Sequence, residues 1–165
     1  MDASTNGSFF DELLWVHGAI RRDLVTVREL AAATSNGKPA DEVRAELDTL
    51  KTNGPLWKLK VNCLYYCRFV HAHHGAEDAK LFPALRAANP DLGPVVDRLE
   101  ADHRRVSDLL DEVEEAADDL SAEAEAKTRA RVASGLDELA DHLLEHLAFE
   151  EESVEETMRS MRSLY

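Results

Sequence analysis

Basic charge is what this chain most lacks. Nineteen lysines and arginines stand against 33 aspartates and glutamates, a formal net charge of −14 over 165 residues. Nucleic acid and anionic membrane surfaces both require a basic footprint, so neither is expected as a partner. The acidity suits a soluble protein and concentrates cations weakly, over a screening length of about 8 Å at cellular salt. Cysteine is scarce too. Cys63 and Cys67 are the only two, too few for a disulfide scaffold. Spaced i and i+4 on one helix, they are poorly placed to bridge each other. No apolar run reaches the length of a membrane span, and no basic segment followed by an apolar one opens the sequence. The expected location is therefore the cytoplasm. Glycine and proline are few, at 7 and 5 residues, and strand-like alternation, low-complexity segments and simple tandem repeats are all absent.

What remains is helical. Alanine, leucine, glutamate, aspartate and arginine dominate, and a chain of this length is expected to form one domain with a real core. Residues 1–7 read as a flexible polar tail, and 8–165 as the domain. Ser8 can cap a first helix with Asp11 and Glu12 in its first turn. Its apolar stripe (Phe9, Leu13, Val16, Ile20, Leu24, Val27, Leu30) runs to about Thr34. A short helix is expected from Pro39 to Thr52. The next long helix runs from Leu56 to about Ala88, with a kink or local stop at Pro83. A third extends from Val95 to about Ala117, and a fourth begins near Ser121. The fold class is all-α. Four amphipathic helices joined by turns predict an up-down-up-down four-helix bundle, with the short extra helix between the first two long ones.

Each long helix places one histidine on its apolar face: His17, His73, His103 and His146. Two helices add a glutamate four residues on, giving His73 with Glu77 and His146 with Glu150. Such pairs stack on one helical face with Cβ atoms about 5–6 Å apart. A buried carboxylate without a counter-charge is costly. Four inward imidazoles and two inward carboxylates cannot satisfy one another cheaply, but they can hold two first-row transition ions. Iron, manganese and zinc all suit nitrogen and oxygen donors. Facing helices of a bundle are a known place for a dimetal site, with carboxylates bridging ions roughly 3.5–4 Å apart.

The order His17, His73-x-x-x-Glu77, His103, His146-x-x-x-Glu150 resembles the hemerythrin-like (HHE cation-binding) family. The segments from His74 to Pro83 and from His146 to Glu151 are similar to its two most recognisable blocks. The resemblance covers nearly the whole chain. It implies a bacterial non-haem di-iron protein: a bundle holding two iron ions, oxo- or hydroxo-bridged, with the four histidines as terminal ligands and Glu77 and Glu150 bridging. It also implies small-molecule partners (O2, H2O2 or NO), with the protein a monomer or a weak dimer. Oxygen-carrying members have a histidine four positions after the third-helix ligand, where Ser107 stands here. They also have an aspartate five positions after the fourth-helix histidine, where this chain has Glu151, with Glu150 one place before it. Both departures imply an even split of two histidines per ion. They favour disproportionation of hydrogen peroxide, a catalase-like activity in oxidative or nitrosative stress, over simple O2 carriage. The alternative is a module that binds or senses O2 or NO, or stores iron, without turnover.

Other residues carry weaker signals. His142, four before His146, is a candidate for an extra ligand or a partner hydrogen-bonded to one. A surface position is the other reading. Tyr66 could hydrogen-bond a bridging oxygen or simply pack in the core. His71 and His74 fall off the His73 stripe and are expected to be solvated or packed against neighbours. Asp78, Glu151 and Glu152 are expected on a solvated face, as is the acidic run from Glu112 to Asp119. Cys63 and Cys67 read as small buried apolar residues.

Overall fold

Ser8 starts the first helix by a reciprocal cap. Its hydroxyl accepts from the backbone N–H of Asp11 at 3.2 Å, and the Asp11 carboxylate accepts from the Ser8 N–H at 3.0 Å. This is a capping box with aspartate in the third helical position. Hydrogen bonds from Ser8 hold the Asp11 carboxyl below the usual carboxylate range, more than offsetting its slight desolvation. A computed structural model describes residues 8–35, 55–119 and 126–161. The 1–7 tail, the short helix expected over 39–52 and the helix start near Ser121 lie outside the described residues.

Among the described residues the fold consists of four long helices, α1 (Phe9–Ser35), α2 (Pro55–Ala76), α4 (Gly93–Asp118) and α5 (Ala126–Ser160), with a short α3 (Phe82–Ala88) after α2. No strand occurs among the described residues, as the absence of alternation predicts. The second expected helix is interrupted earlier than Pro83. A π-helical turn spans Glu77–Leu81, closed by the Phe82 N–H on the Glu77 carbonyl five residues back. Proline has no N–H to give, and its ring crowds the carbonyl four residues earlier. A widened turn just before Pro83 absorbs that misfit, and such turns recur where function is built. After α3, Asn89 accepts from the Asp91 N–H and donates to Thr157 on α5, each at 3.2 Å, which pins the tight turn at Pro90–Leu92.

The long helices pack as a closed ring: α1 lies against α2 and α5, and α4 against the same two. Their apolar stripes form two separate clusters. One gathers Ile20, Leu24, Cys63, Tyr66, Leu110, Val113, Leu136 and Leu143 among others. The other gathers Phe10, Leu13, Phe82, Leu85, Leu99, Val154 and Met158. Along α1 and α4 the chain passes from the second cluster to the first, and along α5, and from α2 through the π turn into α3, it passes from the first to the second. Between the clusters every long helix carries a buried histidine: His17, His74, His103 and His146. A polar layer therefore divides two oily ones.

Leu136 is fully enclosed. Leu136→Ala is expected to cost about 2–5 kcal/mol in urea unfolding, whereas Trp15→Ala at an exposed site should stay within about 0.5 kcal/mol. Burial pushes the Cys63 thiol up to about 12 and raises Cys67 as well. Both should resist iodoacetamide at about pH 8 in the folded chain and react once it is unfolded.

Candidate metal centre

Five imidazoles and two carboxylates converge in the polar layer. α1 supplies His17 from between Leu13 and Ile20. α4 supplies His103 from between Leu99 and Val106. α5 supplies His146 and, one turn on, Glu150. α2 supplies two histidines, because Glu77 lies four residues after His73 and three after His74. Both spacings bring side chains together on a helix, so Glu77 sits between the two rings. His73 is the less enclosed, with 11 % of its side chain exposed.

The inward-facing atoms are close. Glu77 Oε1 lies 2.9 Å from His73 Nε2 and 3.7 Å from His17 Nε2, and its Oε2 lies 3.2 Å from His103 Nε2. Glu150 Oε2 lies 3.5 Å from His17 Nε2 and 3.6 Å from His146 Nε2. The His74 ring stacks on His103 at 3.9 Å between centroids and meets His146 edge-on at 5.1 Å. Two groups of potential ligand atoms, each within a 4.8 Å span, result: His74, Glu77, His103 and His146, and then His17, His73 and Glu77. Glu77 belongs to both.

Behind this layer stands a second set of carboxylates. Glu151 accepts from His17 Nδ1 at 2.9 Å and is itself clamped by Arg21 at 2.7 and 3.1 Å. Asp78 accepts from His103 Nδ1 at 2.8 Å, and Asp102 from His146 Nδ1 at 3.5 Å. An ionised carboxylate only accepts, so each of these three rings donates from Nδ1 and turns its Nε2 inward. This is the arrangement by which metal-ligating histidines are oriented and made more basic. It also brings Nε2 of His103 and Nε2 of His146 within 3.0 Å of each other.

The electrostatics agree. Burial, with the neighbouring His103 ring adding to it, depresses His74 to about 2 and His146 to about 4. Both are neutral at physiological pH, as ligands must be. Burial would raise the Glu77 carboxyl, but the surrounding edges of His103, His17 and His73 outweigh it and hold the group well below the glutamate range. Burial and then the adjacent Glu77 charge push Glu150 well above that range. The pair thus keeps one charge and one proton. Even so, Nε2 of His17, His73 and His74 and all four carboxylate oxygens of Glu77 and Glu150 are buried without a hydrogen-bond partner. Such atoms are rare and costly in folded proteins. Their types and positions fit a pair of cations.

A cavity of about 290 Å³ reaches this layer from outside, with His73 and Glu77 among its lining residues, Leu13, Val16, Leu81 and Met158 along it, and the exposed Glu12 and Lys80 at its rim. A smaller one of about 240 Å³ touches His146 together with Asp102, Arg105 and His142.

The six ligands expected from the sequence, His17, His73, Glu77, His103, His146 and Glu150, all lie in the polar layer. His74 does not fall off the stripe as expected: it is 5 % exposed and central. Its signal is the three-residue spacing to Glu77, which the four-residue spacing of His73 masks. Asp78 and Glu151 also depart from a purely solvated reading, since they hold His103 and His17. His142 is exposed on α5. Tyr66 is buried in the first apolar cluster, its hydroxyl unpaired, and it borders a cavity with Asp23 and Asn62 rather than the histidines. His71 pairs with Asp111 at 3.1 Å in a partly exposed group with Glu114.

A family model described as hemerythrin HHE cation binding domain matches residues 8–157. No curated protein and no solved structure matches the chain. No described helix is long and apolar enough to cross a membrane.

The raised Glu150 carboxyl sets a sign. The folded chain keeps that proton at pH values where the unfolded chain has released it, so the Glu150 contribution falls as pH rises above the ordinary glutamate range. In metal-free protein, Glu150→Gln should remove that loss and raise stability at neutral pH, measured by urea unfolding across a pH series. A lower stability for the variant throughout would contradict this electrostatic account.

Proposed function

Because the chain belongs to the hemerythrin HHE cation binding domain family, we propose that its polar layer holds two non-haem iron ions and serves a small oxygen-derived ligand, with disproportionation of hydrogen peroxide as its activity. The observation that carries this is the set of buried imidazole nitrogens and carboxylate oxygens left without partners on the inner faces of α1, α2 and α5 and on the π turn after α2. His74, His103 and His146 would surround one ion, and His17 and His73 the other. Glu77 is common to both groups, and Glu150 stands between His17 and His146. On this assignment the split would be three imidazoles and two, where the sequence alone implied two and two, with His74 of α2 as the added ring. Bound iron supplies exchangeable positions and a redox couple able to pass electrons to and from peroxide.

The chain's own contribution is orientation and exclusion. Glu151, Asp78 and Asp102 fix three ring tautomers. Phe82 lies flat against His103 at 5.0 Å between centroids. The apolar clusters on either side keep bulk water from the charged layer. A second reading has one observation in its favour. Apart from His73 and Glu77 themselves, the cavity that reaches the layer has only rim groups, Glu12 and Lys80, able to move a proton. That favours reversible binding of O2 or NO, or iron storage, over turnover.

Chain purified with ample iron should carry two irons and show near-ultraviolet charge-transfer bands. Each iron should also raise stability by about 2.7 kcal/mol at a free concentration of roughly 100 times its Kd. Peroxide should release O2, and Glu77→Ala or His73→Ala should abolish this along with iron binding. Loaded protein that binds without releasing O2 would establish the second reading. Protein that takes up no iron would overturn both.

A further inference from the structure

We propose that the cavity between α1, α2 and the end of α5 is the entry port of the centre and that its apolar throat admits small uncharged ligands while rejecting anions. The identity of what lies at its floor rests on the di-iron reading; the port itself is a property of this chain. Unlike the cavity beside His146, this one borders Glu77, the carboxylate shared by both groups, and His73, the least enclosed of the five rings. The other touches His146 in the company of Asp102, the acceptor of the His146 Nδ1 hydrogen. It therefore approaches the back of a ring, not its inward nitrogen.

Leu13, Val16 and Leu81 give the cavity an apolar wall. None can replace the water that a charged ligand must shed, and stripping an ion without replacement costs several kcal/mol. The rim carries one charge of each sign, Glu12 and Lys80, and so exerts no net pull on an anion. The floor atoms, Nε2 of His73 and both Glu77 oxygens, are closed to water. A ligand passes from a wet rim to a dry floor.

Val16→Phe narrows the throat and Val16→Ala widens it. In iron-loaded protein the association rate of nitric oxide, followed by its absorption change, should fall about tenfold in Val16→Phe, a barrier increase of about 1.4 kcal/mol, and should not fall in Val16→Ala. Azide, an anion, should associate more slowly than nitric oxide with wild-type protein and gain more from Val16→Ala. Should Val16→Phe lose iron, Ala76→Phe at the exposed rim provides the same narrowing. On metal-free protein, xenon should perturb the methyl resonances of Leu13, Val16 and Leu81, which tests the port without iron. Unchanged nitric oxide rates in iron-replete variants, or xenon shifts confined to other methyls, would overturn the port. Failure to take up iron with the xenon shifts present would overturn the di-iron reading and leave the port standing.

Discussion

The structure depends on two carboxylates held in a dry layer. Glu77 and Glu150 are 4 % and 0 % exposed, between apolar clusters that offer them no counter-charge. Two like charges in a low-dielectric interior repel strongly, and the shared proton on Glu150 only halves the problem. Everything else in the layer is arranged around that cost. Five imidazoles ring the acids, three of them held at Nδ1 by outer carboxylates so that Nε2 points inward. An interior built only for stability would replace such a layer with leucine. Its persistence on all four helices is a choice of cation affinity over apo-state stability, the trade common at functional sites.

The outer carboxylates show how position is transmitted. Arg21 holds both oxygens of Glu151, Glu151 holds His17, and His17 faces Glu77 and Glu150. These links join α1 to α5 and to the turn after α2 through side chains alone. The corresponding hold on His146 is looser: Asp102 stands at 3.5 Å and meets Arg98 at 3.9 Å. The two ends of the centre are therefore held with unequal firmness.

Much of this was legible in the residues. Apolar spacing gave the long helices to within a few positions at their described ends, as with Val95 against Gly93 for the start of α4. The His-x-x-x-Glu pairs gave the inner acids with His73 and His146, because an imidazole and a carboxylate stacked on an apolar face need a cation to offset their burial, and the apolar stripes of α1 and α4 gave His17 and His103. His74 escaped because a one-residue step along a helix turns by about 100°, which looks like a change of face unless the glutamate that both rings flank is taken as the reference. The π turn was hidden as well. Pro83 announced a disturbance, but widening the preceding turn and kinking at the proline satisfy the same missing N–H. The holding roles of Asp78 and Glu151 are tertiary facts: what makes them partners rather than solvated acids is a ring on another helix, and no local spacing encodes that.

The polar layer also splits the hydrophobic interior into two bodies of different size, with Leu110, Val113, Leu136 and Leu143 on one side and Phe10, Phe82, Leu85 and Val154 on the other. Neither body touches the other through oil alone, and the seam between them is where like charge accumulates. Cooperative unfolding requires that halves melt together. Two ions sharing Glu77 and held by rings from α1, α2, α4 and α5 would rivet the seam, so metal occupancy would decide whether this bundle behaves as one folding unit or as two joined end to end.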